Sequence, residues 1–134
     1  AIQAHLRPVV HVEAAQNLAG CSSVKALMDV SDGVLADVSR LIGSQKGADI
    51  SISAGDLPCE VRQYAGKAGV SPEWFALQGG EDYALLGACK AEDFEAVRGQ
   101  IPQILAIGRI TENRGIFLRG NKITARGFDH FSST

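Results

Sequence analysis

Met28-Asp29-Val30-Ser31-Asp32-Gly33 joins two hydrophobic patterns of different period. Ahead of it, Ala26 to Val30 is a brief apolar run that reads as a buried strand. Behind it, Val34, Leu35, Val38, Leu41 and Ile42 recur at helical spacing, which predicts an amphipathic helix from Gly33 to about Lys46, ended by Gly47. A strand therefore runs directly into a helix through two acids, a serine and a glycine. Strand alternation puts Asp29 and Ser31 on one side, with Asp32 at the turn.

Those residue types have a chemistry in common. Two carboxylates and a hydroxyl at the mouth of a sheet can hold Mg²⁺, a hard cation that prefers oxygen ligands and keeps several waters. The start of the following helix offers free backbone N–H groups and a positive dipole end, which suits a phosphate. Gly33 permits close backbone approach. A plainer reading stands beside this one: Ser31 or Asp32 caps the helix, and Asp29 pairs with a neighbouring base. The two are compatible, although an acid ending an apolar strand needs an explanation of its own.

Further along, Leu77-Gln78-Gly79-Gly80-Glu81-Asp82-Tyr83 leads into the apolar run Ala84-Leu85-Leu86. A Gly-Gly turn can lie flat beneath a ligand, and Glu81 or Asp82 can accept hydrogen bonds from an amine. A loop with solvated acids accounts for the same residues.

Around these segments, helices are expected at Val12 to Ala19 (closed by Gly20), Pro58 to Lys67 and Ala91 to Gly99. Strands are expected at Asp49 to Ser53, Asp82 to Cys89, Ile104 to Ile110, Ile116 to Arg119 and Lys122 to Ala125, with Gly120-Asn121 as a tight hairpin turn. Ser71-Pro72-Glu73 starts a helix that places Trp74 and Phe75 in the core. Interleaved helices and strands, closing in strands, predict an α+β fold: a mixed β-sheet covered by helices, in one domain over residues 1–134.

Bulk properties narrow the function. The chain of 134 residues is 46% hydrophobic and 21% charged, as in an ordinary soluble protein. Thirteen basic and fifteen acidic residues give a formal charge of −2. The basic residues are scattered singly, which argues against nucleic-acid binding through a basic surface. Cys21, Cys59 and Cys89 have no disulfide, redox or zinc spacing, and a reducing cytoplasm is the expected compartment. Ala1 to Val12, broken by Gln3, His5, Arg7 and Pro8, has neither a signal-peptide core nor the length of a membrane span. His5 and His11 lack further ligands for zinc. No Gly-x-Ser-x-Gly, phosphate-loop or Gly-x-Gly-x-x-Gly motif is present.

Four segments in order carry a family resemblance: His5-Leu6-Arg7-Pro8, Met28-Asp29-Val30-Ser31-Asp32-Gly33-Val34-Leu35-Ala36-Asp37, Gly79-Gly80-Glu81-Asp82-Tyr83 and Gly127-Phe128-Asp129-His130-Phe131. Together they resemble the C-terminal domain of thiamine-monophosphate kinase, in the aminoimidazole-ribonucleotide synthetase superfamily. The resemblance implies a PurM C-terminal domain-like sandwich. It also implies an ATP-dependent transfer of a phosphoryl group onto thiamine monophosphate with Mg²⁺, in a homodimer. By position, Asp29 and Asp32 would be metal ligands and Ser31 a contact to the nucleotide phosphates. Glu81 would lie by the substrate and Phe128 on a thiamine ring, where an aromatic face suits a cationic thiazolium.

In that family a preceding N-terminal domain supplies most ATP and metal groups and the dimer interface, and nothing in this sequence corresponds to it. The chain begins with Ala rather than Met. The expectation is a half-site, weak or inactive by itself. Two other readings remain: a selenophosphate or aminoimidazole-ribonucleotide synthetase-like superfamily member, and a stand-alone binding module without catalysis.

Overall fold

A computed structural model describes residues 11–79 and 84–123. The first helix, α1 (Val12–Ala19), leads into strand β1 (Val24–Asp29). Beyond the Val30-to-Gly33 loop, α2 (Val34–Ile42) is followed by β2 (Gly47–Ile50), a 3-10 turn at Ala54–Asp56, α3 (Cys59–Ala68) and α4 (Pro72–Gln78). Next come β3 (Leu85–Cys89), a 3-10 turn at Ala91–Asp93 that enters α5 (Phe94–Gln100), β4 (Gly108–Thr111), β5 (Gly115–Leu118) and β6 (Asn121–Ile123).

The α+β class holds, with the strands divided between two sheets among the described residues. β1 and β3 form an antiparallel ribbon whose register sets Asp29 opposite Leu85. The second sheet is mixed, in the order β4-β2-β5-β6, with β2 antiparallel to β4 and parallel to β5. Ile50 and Ile52 alternate into the core, as the period-two pattern of Asp49 to Ser53 predicted, and Ala48 extends the alternation in a ladder that begins at Gly47 and ends at Ile50. From α2, Leu35 and Val38 meet them, joined by Val30, Leu57, Leu77, Leu86 and Ile116. Burying each large aliphatic side chain of this kind contributes about 1.5–3 kcal/mol.

Several boundaries differ from the sequence reading. α2 ends at Ile42, because Gly43 turns the backbone to φ 69° and ψ −169°. Gly47 does not end that helix. It opens β2, where a Cβ would come within 1.7 Å of the Asn113 carbonyl oxygen, so only glycine fits. Ile104 to Ile107 is irregular chain, and β4 begins at Gly108. The β5–β6 turn sits one residue earlier than predicted: Leu118 pairs with Asn121, and Arg119 (φ 51°) with Gly120 (φ 79°) forms a tight turn with both central residues at positive φ. Trp74 packs against the core, but Phe75 is exposed.

α4 is fixed at its start. The Ser71 hydroxyl accepts the Trp74 N–H at 3.1 Å, and Pro72 fills the first turn. Glu73 accepts the Ala54 N–H at 3.1 Å and an Arg119 guanidinium N–H at 3.1 Å. Hydrogen bonds to the Glu73 carboxylate, led by its own backbone N–H, hold its pKa below the ordinary glutamate value despite partial burial.

Candidate functional site

The loop between β1 and α2 takes its shape from a residue inside the helix. No side chain caps α2; its N-cap is Gly33, at φ 103° and ψ 149°. The expectation that Ser31 or Asp32 caps the helix through its side chain is therefore corrected. The reason is Asp37, a fully buried carboxylate in the first turn of α2. Its Oδ2 accepts the backbone N–H of Ser31 at 2.8 Å and of Asp32 at 3.1 Å. Its Oδ1 accepts the Arg40 guanidinium at 2.5 Å. Burial alone would push this carboxyl up; the bonds from Ser31, Asp32 and Arg40 outweigh it and hold the pKa below the ordinary carboxylate value.

Arg40 continues outward, donating from its other terminal nitrogen to Asp32 Oδ2 at 2.5 Å. The side chain of Asp32 is 44% exposed, so this carboxylate faces solvent on the far side of the guanidinium. Ser31 is exposed above it. α2 starts with no side-chain cap, and the dipole at a helix start favours an anion.

Asp29 lies elsewhere on the corner. It is exposed and, among the described residues, makes no ion pair. It borders a groove of about 530 Å³ between α1 and the ribbon, lined also by Val12, Ala15, Leu27 and Leu85. Ser31 and Asp32 thus share the Asp37 cradle, whereas Asp29 has different neighbours.

The second sequence segment reaches this corner from α4. A Cβ on Gly33 would stand 3.1 Å from the Gln78 carbonyl oxygen and 3.4 Å from that of Gly79, so the loop lies against the end of α4. On the other side, the Val30 N–H donates to the Ala84 carbonyl at 2.8 Å. Both described flanks of the Gly79-to-Ala84 connection are therefore held to the Val30–Gly33 loop. Glu81 lies outside the described residues, as do Phe128, His130 and the His5-Leu6-Arg7-Pro8 segment.

The donor set fits Mg²⁺ of one particular kind. Asp32 and Asp29 carry accessible carboxylate oxygens, and Mg²⁺ is commonly bound through one or two carboxylates together with waters and substrate phosphates. Among the described residues no cluster of three or more His, Cys, Asp or Glu side chains forms, so these residues do not build an all-protein cage.

Asp37 is the residue that the sequence reading passed over in this role. The signal was present: on the wheel of α2 it falls beside Leu41, an acid at the edge of the apolar arc of an amphipathic helix.

No family model matches the chain. Two curated relatives are thiamine-monophosphate kinases. That of Aquifex aeolicus is 35% identical over 132 residues, covering 97% of this chain and 41% of the relative. That of Haemophilus influenzae is 32% identical over 145 residues, covering 98% of this chain and 43% of the relative. The chain thus spans about two fifths of the length of the relatives it matches. Among solved structures, AaThiL complexed with AMPPCP and TMP superposes with a TM-score of 0.74 at 34% identity, covering 97% of this chain and 40% of that one. Escherichia coli HypE, a hydrogenase maturation protein, superposes with a TM-score of 0.69 at 26% identity, covering 91% of this chain and 40% of that one.

Proposed function

The chain is a relative of the thiamine-monophosphate kinases, similar along nearly its whole length to part of them, and from that premise we propose that it forms the C-terminal half of such an enzyme. The complete protein would transfer a phosphoryl group from ATP to thiamine monophosphate, giving thiamine diphosphate. One observation carries the reading to the site: the Ser31-Asp32-Gly33 loop lies against Gln78 and Gly79, so two segments that each read weakly in sequence share one corner of the fold.

In this reading Asp32 and Asp29 hold Mg²⁺, and Ser31 with the uncapped start of α2 receives the nucleotide phosphates. Bound Mg²⁺ would neutralise the charge that develops on the transferred group. The chain's own part is positioning: Asp37 holds the loop amides, Arg40 holds the Asp32 carboxylate, and Gly33 brings the loop onto α4. Glu81 contacts the substrate and Phe128 packs on a thiamine ring. A preceding domain completes the nucleotide site and the homodimer, and the chain alone is weak or inactive. We place the protein in the cytoplasm. Among the described residues no helix is long and apolar enough to cross a membrane.

The test is an assay of the complete reading frame with ATP, Mg²⁺ and thiamine monophosphate, beside Asp32→Asn. Thiamine diphosphate from the parent and near-total loss in the variant are expected; absence of product from a folded parent overturns the reading. A second reading, another ATP-using reaction of the same superfamily, is favoured by the superposition on HypE, which nearly equals that on AaThiL. Selenium and ribonucleotide substrates in the same assay separate the two.

A further inference from the structure

Arg40 is shared between two carboxylates of different kinds. Asp37 is wholly buried, and among the described residues it is the one buried charged side chain. Asp32 is half-exposed on the loop. Two backbone N–H groups hold Asp37 Oδ2, and the Arg40 side chain, 55% exposed, donates one nitrogen to Oδ1. Its second nitrogen is spent on Asp32 Oδ2.

We propose that Asp37 is a positioning residue for the loop, and that Arg40 stands in the place of a cation at Asp32, so that a metal gains that carboxylate oxygen by displacing the guanidinium toward Asp37. This rests on the reading of Asp32 as a metal ligand. Two positive charges cannot share one carboxylate oxygen at contact distance without strong repulsion. Asp37 gives the displaced guanidinium a second acceptor at 2.5 Å, so Arg40 need not leave the site. The arrangement tunes the metal affinity of Asp32 through residues that never touch the metal.

The prediction is one of opposite signs. Removing the guanidinium frees Asp32, and Arg40→Gln should bind metal about tenfold tighter. Removing the charge of Asp37 loosens the loop amides and leaves Arg40 wholly to Asp32, so Asp37→Asn should bind metal about tenfold weaker. A merely structural role for the pair moves both variants in the same direction, or neither. The experiment titrates the complete protein with Mn²⁺ alone, counting free Mn²⁺ by electron paramagnetic resonance, in the parent, Asp32→Asn, Arg40→Gln and Asp37→Asn. Thermal melts run alongside.

Tighter binding in Arg40→Gln with weaker binding in Asp37→Asn supports the proposal. Shifts of the same sign, or no shifts, overturn it while a loss in Asp32→Asn keeps the metal reading. Unchanged binding in Asp32→Asn overturns both. If Asp37→Asn does not fold, the exposed Arg40→Gln decides alone: tighter binding supports the proposal, and unchanged or weaker binding overturns it.

Discussion

Replacing Gly33 by alanine tests whether the β1–α2 loop rests on the end of α4. The magnitude has two parts. At φ 103° and ψ 149° the backbone occupies a region that L side chains avoid, which costs about 1–3 kcal/mol. The new methyl would also stand 3.1 Å from the Gln78 carbonyl oxygen, closer than ordinary van der Waals contact, with a second carbonyl at 3.4 Å. Both neighbours are backbone at the end of a helix, so they cannot swing aside as a flexible side chain would, and roughly another 1 kcal/mol follows. Gly43 supplies the control. It too has positive φ, 69°, but a Cβ there meets nothing within 4 Å. Gly43→Ala therefore carries the backbone cost alone. For a domain of this size about 1 kcal/mol moves the melting temperature by roughly 4 °C. Thermal unfolding followed by circular dichroism should place Gly33→Ala about 4 °C or more below Gly43→Ala. Equal melting temperatures for the two variants would refute the contact, and with it the argument that the two segments share a corner.

Two further perturbations probe the frame around that corner. Gly47→Ala puts a Cβ 1.7 Å from the Asn113 carbonyl oxygen, an overlap that only separation of β2 from the neighbouring loop can relieve, so a loss above about 4 kcal/mol is expected; chemical denaturation of parent and variant measures it, and a loss below about 1 kcal/mol contradicts the β2 register. Glu73 has a folded pKa below its ordinary value of 4.5, so it contributes stability that is present above that pH and fades as pH falls through the lower folded value. Glu73→Gln should accordingly flatten the stability profile below about pH 4.5, and an acid-unfolding curve unchanged in shape rejects the Arg119 and Ala54 contacts.

Much of the fold was legible because period is a local property. The helical spacing of Val34, Leu35, Val38, Leu41 and Ile42 and the alternation of Ile50 and Ile52 both appear in the core. What was not legible depends on partners distant in sequence. Gly47 reads as a helix terminator until Asn113 is known to lie against it. The β1–β3 ribbon reads as part of one sheet, since pairing carries no local mark. Arg119 takes the left-handed turn position ahead of Gly120 because the chain places its N–H on the Ile50 carbonyl and its side chain on Glu73. The site divides in the same way. The Asp-Val-Ser-Asp-Gly segment is visible in sequence, but the residue that shapes it sits one helical turn downstream, where an acid beside apolar positions was the one available sign.

These details give α4 a mechanical part in the corner. Its first turn is tied to the β5–β6 turn and to the chain after β2 through Glu73, with Arg119 and Ala54 as the two donors. Its last residues meet Gly33. α4 is only seven residues long, and a helix that short is not stable by propensity alone. Its end is placed by what fixes its start, by Leu77, which is fully buried in the common core, and by the Ser71 cap. The loop at Gly33 therefore receives its position from two directions. Asp37 sets the path of its amides from within α2, and α4 sets the wall it lies against. Ser31 and Asp32, proposed to meet phosphate and metal, lie between these supports, so substitutions at Asp37 and at Glu73 should reach the same loop by independent routes and add in their effects on stability.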